Sequence, residues 1–256
     1  AELTPVHPGK PQLYLLKVRN LVYTVFTMAK RVAVILSGCG VYDGTEVNEA
    51  SAILVHLSRA GAKVQMFAPN ADQMHVVNHC DGKPAEGKRN ILQESARIGR
   101  GEVTDLAKLD DTQFDAVILP GGFGVGKNLS DWAVKSKGFS VQPQVEKLIK
   151  AFHRAGKPLG MCCIAPILAA KLLPGCEVTM GFFGFFCRLS VSRWPYAQST
   201  GIVKEMGGKH VNKEVEEVHV DAKNKIVTTC AFMCNAPIHK VFDGIGLMVQ
   251  ETLKLA

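Results

Sequence analysis

From Arg31 onward, short apolar runs of strand length alternate with stretches of helical period, and that order restricts the chain to few folds. RVAVIL, KVQMFAP, DAVILPGG and PLGMC read as strands. Between the first two, TEVNEASAILVHLSRAG places Val47, Ala50, Ile53, Leu54 and Leu57 on one helical face, with Gly61 as its C-cap. PQVEKLIKAFHRAGK and IAPILAAKLL are further helices. EVHVDAKNKIVTT reads as a hairpin turning at Ala222–Lys225. The closing NAPIHKVFDGIGLMVQETLKL sets Ile238, Val241, Ile245, Met248, Val249 and Leu253 on one side. Strands alternating with helices bury both faces of a mostly parallel sheet, so the expected class is α/β, a three-layer sandwich with helices on both faces.

No repeat or linker divides this region, so 31–256 is read as one domain. Residues 1–30 differ from it. They carry Lys10, Lys17, Arg19 and Lys30 against the single acid Glu2, the acid-poor basic mix of an organelle-targeting leader. The expected location is therefore an organelle, which the resemblance given below makes the mitochondrion. The alternative is that Met28 is the true start, the preceding residues an upstream artefact and the location cytoplasmic. On either reading residues 1–28 stand outside the fold.

The net charge of +7 is spread along the chain without a basic block interleaved with aromatics, which argues against a nucleic-acid groove. No apolar run is long enough to span a bilayer: the longest candidate, Cys163 to Phe186, is broken by Lys171, Pro174 and Glu177. Eight cysteines lack any CxxC pair, and Cys230 and Cys234 have the wrong spacing for a zinc ribbon. His75 and His79 are four apart, but no glutamate completes a zinc motif, so no metal site and no cofactor are expected.

In parallel sheets, ligands bind beyond the carboxyl ends of the strands. Three stretches lie there. In GKPLGMCCIAP a strand runs into a helix with no loop between them, which holds a side chain at the top of the sheet. Cys163 sits at that turn, with Ile164 opening the helix. Cys162 ends the strand and points inward. The helix N-terminus favours thiolate, so the Cys163 pKa is expected to fall. In PGGFGVGKNLS, Gly121 and Gly122 follow a strand and can offer N–H groups to an oxyanion, with the N–H of Ile164 as second donor. Asn128 lies in that stretch and is read, with Gly121, Cys39, Asp43 and Glu46, as substrate-binding. In SGCGVYDGTEVNEAS, Cys39, Asp43, Glu46 and Glu49 reach the same edge. An acid there is either a helix-dipole partner or a group that shares the thiol's proton.

Together these stretches, with KIVTTCAFM, resemble the class I glutamine amidotransferase-like superfamily. Within it they are similar to a branch shared by bacterial isoprenoid-biosynthesis proteins of the ElbB type and vertebrate mitochondrial proteins. The likeness runs from about Arg31 to the C-terminus, and SGCGVYDG is specific to the branch. The wider superfamily includes the parkinsonism-associated deglycase and proteases of the PfpI type. The resemblance implies a flavodoxin-like sandwich with Cys163 as nucleophile. It implies a glutamate on the first helix that hydrogen-bonds the thiol, Glu49 matching best and Glu46 second. It also implies homodimers and cofactor-independent, glyoxalase-type chemistry on small carbonyl metabolites. The alternative is a non-catalytic redox-sensing or partner-binding protein acting in mitochondrial homeostasis.

Two departures matter. Proteases of the group place a histidine after the nucleophile, where this chain has Ile164, so a Cys–His protease is not expected. Glutamine amidotransferases complete a triad with a late His-x-Glu. The nearest counterpart, His219 and Asp221, runs at once into a hairpin turn and reads as an exposed strand pair. The branch also has a polar loop before WPYA, where this chain reads GFFGFFCRLSVSRWPYA from Gly181. The Phe-rich stretch, 182–193, is either a hydrophobic interaction patch or a shifted reading frame, the likeness resuming at Trp194.

Overall fold

The computed structural model describes residues 29–181, 192–196 and 199–256, with the backbone of three strands nearer the N-terminus. Those three, β1 (Leu3–Pro5), β2 (Leu13–Val18) and β3 (Leu21–Phe26), pair antiparallel in a sheet of their own. Most of the Phe-rich stretch, residues 182–191, falls outside the described residues.

In the main domain, β4 (Arg31–Ile35), α1 (Val47–Arg59) and β5 (Lys63–Ala68) form the first βαβ unit. A two-stranded ribbon of β6 (Val77–Asn78) and β7 (Lys83–Pro84) precedes α2 (Ile91–Ile98) and β8 (Val103–Asp105). Then come β9 (Ala116–Leu119), the short α3 (Gly124–Lys127) and α4 (Trp132–Lys135), and α5 (Pro143–Arg154). β10 (Leu159–Cys162), α6 (Pro166–Leu172) and β11 (Glu177–Val178) follow. Last are α7 (Ser199–Glu205), β12 (Lys209–His210), β13 (His219–Asp221), β14 (Ile226–Thr229) and α8 (Ile238–Leu255).

The main sheet has seven strands in the order β13-β14-β10-β9-β4-β5-β8, parallel except for the edge strand β13. Its centre is fully buried: Val32, Ala33, Val34, Val117, Ile118 and Leu159 have no exposed surface. The chain moves outward from β4 to β5 and β8, then returns to β9 on the other flank of β4. Crossovers are right-handed, so connections running in opposite directions put α1 and α5 on opposite faces. α8 packs against α1, and α6 against α5. The result is the flavodoxin-like sandwich, with its topological switch point between β4 and β9, where such sheets open a crevice.

Several local expectations change. β8 and α2 carry too few apolar residues to stand out by pattern. The helix after Cys163 starts at Pro166, because residues 163–165 form a turn. Ile238 is 58% exposed, since α8 meets the sheet only from Val241 onward. The hairpin turn stands between β13 and β14, but His219 and Asp221 are not an exposed pair. His219 Nε2 lies 3.1 Å from Glu177 Oε2, and Asp221 accepts from Glu177 N–H at 2.8 Å. Both side chains are spent on joining β11 to the sheet edge.

Candidate functional site

Strand register brings the site together. Leu119 pairs with Met161, so Gly121 and Cys163, each two residues further on, stand side by side beyond the sheet. The loop after β4 locks onto the loop after β9: Glu46 N–H donates to Gly121 O at 3.0 Å, and Gly124 N–H to Gly44 O at 2.8 Å. Gly122, at φ +98°, adopts a conformation that favours glycine, and a Cβ there would strike Glu46 N and Gly44 O. Gly121 is needed for a different reason. A Cβ on it would overlap the Cys163 side chain and lie 2.7 Å from Glu49 Oε2.

Cys163 has φ +58°, left-handed backbone that a non-glycine residue adopts at a cost of about 1–2 kcal/mol. Its N–H donates to Thr229 O and the N–H of Ala165 to Cys162 O, each at 3.0 Å, which fixes the sharp turn. Cys163 is 8% exposed, at the floor of a cleft of about 300 Å³.

Glu49 is fully buried one turn inside α1. Its Oε2 accepts from Gly121 N–H at 2.9 Å and lies 3.6 Å from the donating Cys162 Sγ, and its Oε1 accepts from Phe232 N–H at 3.3 Å. The Cys163 side chain lies beside the same carboxyl and draws its pKa downward. Burial, helped by the nearby Glu46, pushes its pKa up to about 7 despite these donors. Glu46 caps α1, accepting from Glu49 N–H at 2.6 Å, and burial raises its pKa as well.

The expected low-pKa thiolate is not what this environment gives. Burial and the Glu49 carboxylate hold the Cys163 thiol well above its usual range, against the pull of the Gly122 and Ile164 N–H groups that face the sulfur. The helix that was to supply positive charge starts three residues later and has only seven residues. Desolvation and a like charge in contact outweigh it.

Among the other sequence candidates, Glu46, Gly122 and Ile164 line the cleft with Cys163, and Gly121 lies beneath it. Asp43, Asn128 and Cys39 are not brought to the cleft wall. Asp43 has no exposed surface, and its Oδ2 accepts from Val77 N–H at 2.7 Å. Asn128 donates to Ser37 O and Asp43 O at 2.8 Å each and accepts from Met74 N–H at 3.0 Å, so it ties three loop segments together. Cys39 is half-buried, its thiol pKa raised by burial and by Glu94. His79 accepts from Tyr42 N–H and bonds Val77 O, which makes it a loop clamp. Among the described residues no cluster of metal-ligating side chains occurs, and no helix is long and apolar enough to cross a membrane.

The sequence reading passed over the contacts of Cys162 and Phe232 with Glu49 and the aromatic wall of the cleft. Phe232 follows the end of β14, itself a carboxyl end at the sheet's functional edge, and that was the available signal. The wall residues come from separate loops with no shared pattern.

The DJ-1/PfpI family model matches residues 30–231. The chain is 58% identical to the human mitochondrial glutamine amidotransferase-like class 1 domain-containing protein 3, over 89% of this chain and 84% of that protein. It is 44% identical to the zebrafish (Danio rerio) mitochondrial ES1 protein, over 88% of this chain and 85% of that one. The crystal structure of an isoprenoid biosynthesis protein with amidotransferase-like domain from Ehrlichia chaffeensis superposes with a TM-score of 0.78 at 32% identity, covering 88% of this chain and all of that one. With its parallel sheet, glycine turns and cysteine at a strand–helix turn, the chain belongs to the DJ-1/PfpI family, as a mitochondrial ES1-like member.

Proposed function

We propose that Cys163 and Glu49 form a nucleophile and proton carrier acting on small α-oxoaldehydes. The observation that carries this reading is one buried carboxyl, with a pKa of about 7, beside a thiol at a strained turn on a cleft floor. A group titrating near neutrality is suited to both taking and returning a proton. The thiol is protonated at rest and is activated at the moment of attack.

The sulfur adds to the aldehyde carbon, and the S–H proton passes by way of Glu49 to the carbonyl oxygen, giving a hemithioacetal. Glu49 then removes the hydrogen of that carbon as a proton. The electron pair moves toward the adjacent carbonyl, the proton is returned to that carbon, and the hemithioacetal hydroxyl proton passes to the neighbouring oxygen. The product is a thioester of a 2-hydroxy acid, which water hydrolyses to free acid and thiol. One water is consumed, and the sequence requires neither an external oxidant nor a cofactor. Gly122 and Ile164 N–H groups, already facing the sulfur, support charge that develops on it and on the neighbouring oxygen.

The test is conversion of glyoxal to glycolate by pure protein. Loss of turnover in Cys163→Ala is the expected result, and an undiminished rate in that variant overturns the assignment. We also propose a homodimer, supported by an apolar groove of about 160 Å³ where α1 meets α8, rimmed by exposed Val55 and Ile238. Light scattering that reports a monomer at micromolar concentration rejects it.

A further inference from the structure

The cleft above Cys163 is far larger than a two-carbon dialdehyde needs. Its volume of about 300 Å³ falls at the lower end of sites that hold ring-sized ligands. Its walls are aromatic, formed by Tyr42, Phe123, Trp132, Tyr196 and Phe232. These side chains come from four separate loop segments and the short α4, so the arrangement is assembled by the fold and does not follow from one apolar stretch.

The wall is also held in place. Phe123 meets Tyr196 edge-on, with centroids 6.3 Å apart, and the Lys127 ammonium stands 5.7 Å from the Phe123 centroid on the other contact. Lys127 Nζ donates to Tyr42 O at 2.6 Å, and the Tyr42 ring packs against His79 at 5.0 Å. Trp132 lies against the backbone at Gly126, where a Cβ would come within 2.9 Å of the indole. The indole Nε1 is buried and has no hydrogen-bond partner among the described residues.

We infer that this cleft selects carbonyl compounds bearing an aromatic ring, aryl α-oxoaldehydes above all, with the ring held by the aromatic wall. The inference rests on the reading of Cys163 as a carbonyl nucleophile, and it deepens that reading by naming the substituent. The reaction is the one written above: phenylglyoxal takes up one water and becomes mandelate.

Two measurements separate the two ideas. The first compares kcat/KM for phenylglyoxal and glyoxal, with a preference for phenylglyoxal of about tenfold or more expected from ring packing. The second needs no turnover. Phenylglyoxylate and glyoxylate are compared as protectants of Cys163 against iodoacetamide, with the site of labelling read by mass spectrometry. Phenylglyoxylate is expected to protect at about one tenth of the glyoxylate concentration. Phe123→Ala and Tyr196→Ala, two independent variants, are each expected to shrink that difference by at least threefold or so. If no aldehyde is turned over yet selective protection persists, the catalytic reading fails and the cleft's selectivity stands. Equal protection by the two acids, or an undiminished difference in both folded variants, overturns the inference.

Discussion

Cys162 Sγ lies 3.6 Å from Glu49 Oε2, the same oxygen that Gly121 N–H holds at 2.9 Å, and the Cys163 side chain stands beside the same carboxyl. The inward-pointing cysteine is therefore part of the site's proton balance, although it has no exposed surface. Removing its S–H takes a donor from the carboxylate and makes that carboxylate hold a proton more tightly. In Cys162→Ala, Cys163-dependent turnover is expected to need a higher pH for half-maximal rate. An unchanged pH–rate profile rejects a role for Cys162.

Glu49→Gln should move two readouts in opposite directions. The amide cannot accept the thiol's proton, so turnover falls by about 10²–10⁴-fold. It also removes the negative charge that raises the Cys163 pKa. Alkylation by iodoacetamide should then begin at lower pH than in the parent. Glu46→Gln keeps an oxygen for the Glu49 N–H and should cost little activity and about 0.3–1 kcal/mol of stability. Rate assays and labelling profiles of the two variants check this, and the reverse ranking would reject the assigned roles.

Stability should depend on pH through Glu49. Its folded pKa of about 7 lies above the ordinary 4.5, so the folded state binds the proton more tightly than the unfolded chain. The stabilisation is fully present below the ordinary pKa and is lost as pH rises toward 7, on the order of 3 kcal/mol in all. Denaturant unfolding between pH 5 and pH 7.5 should show this decline, and Glu49→Gln should flatten it. An equal slope in both proteins excludes Glu49 as its source.

Gly121→Ala tests the close approach. The added methyl meets Cys163 and Glu49 together, and the fully buried Glu49 has no room to retreat. A loss of about 1–3 kcal/mol in stability and of most turnover is expected. Near-parental stability and activity in that variant would mean the three groups are less tightly packed than described.

The strained backbone at Cys163 makes a further prediction. Cys163→Ala keeps the left-handed conformation, whereas Cys163→Gly relieves it. The glycine variant should be about 1 kcal/mol more stable than the alanine variant in matched urea melts. A glycine variant that is the weaker of the two would indicate that side-chain packing at this turn outweighs its strain.

The sequence alone determined the βαβ order and a mostly parallel sheet between helical layers, because apolar period and strand length are local properties that burial enforces element by element. It also marked Cys163, Gly121, Gly122 and Glu49, since a loopless strand–helix turn, paired glycines after a strand and an acid one turn into a helix are all visible within a few residues. Tertiary structure alone decided the protonation of the thiol. That depends on burial and on a carboxylate 114 positions away in the chain (163 − 49), and their desolvation and charge override the short helix behind the sulfur. It also decided that Asp43, Asn128 and His79 clamp loops, that His219 and Asp221 serve the sheet edge, and that five aromatic rings converge on one cleft. Each of these rests on contacts between segments whose spacing in sequence carries no pattern, and only the folded chain brings them within a few ångströms.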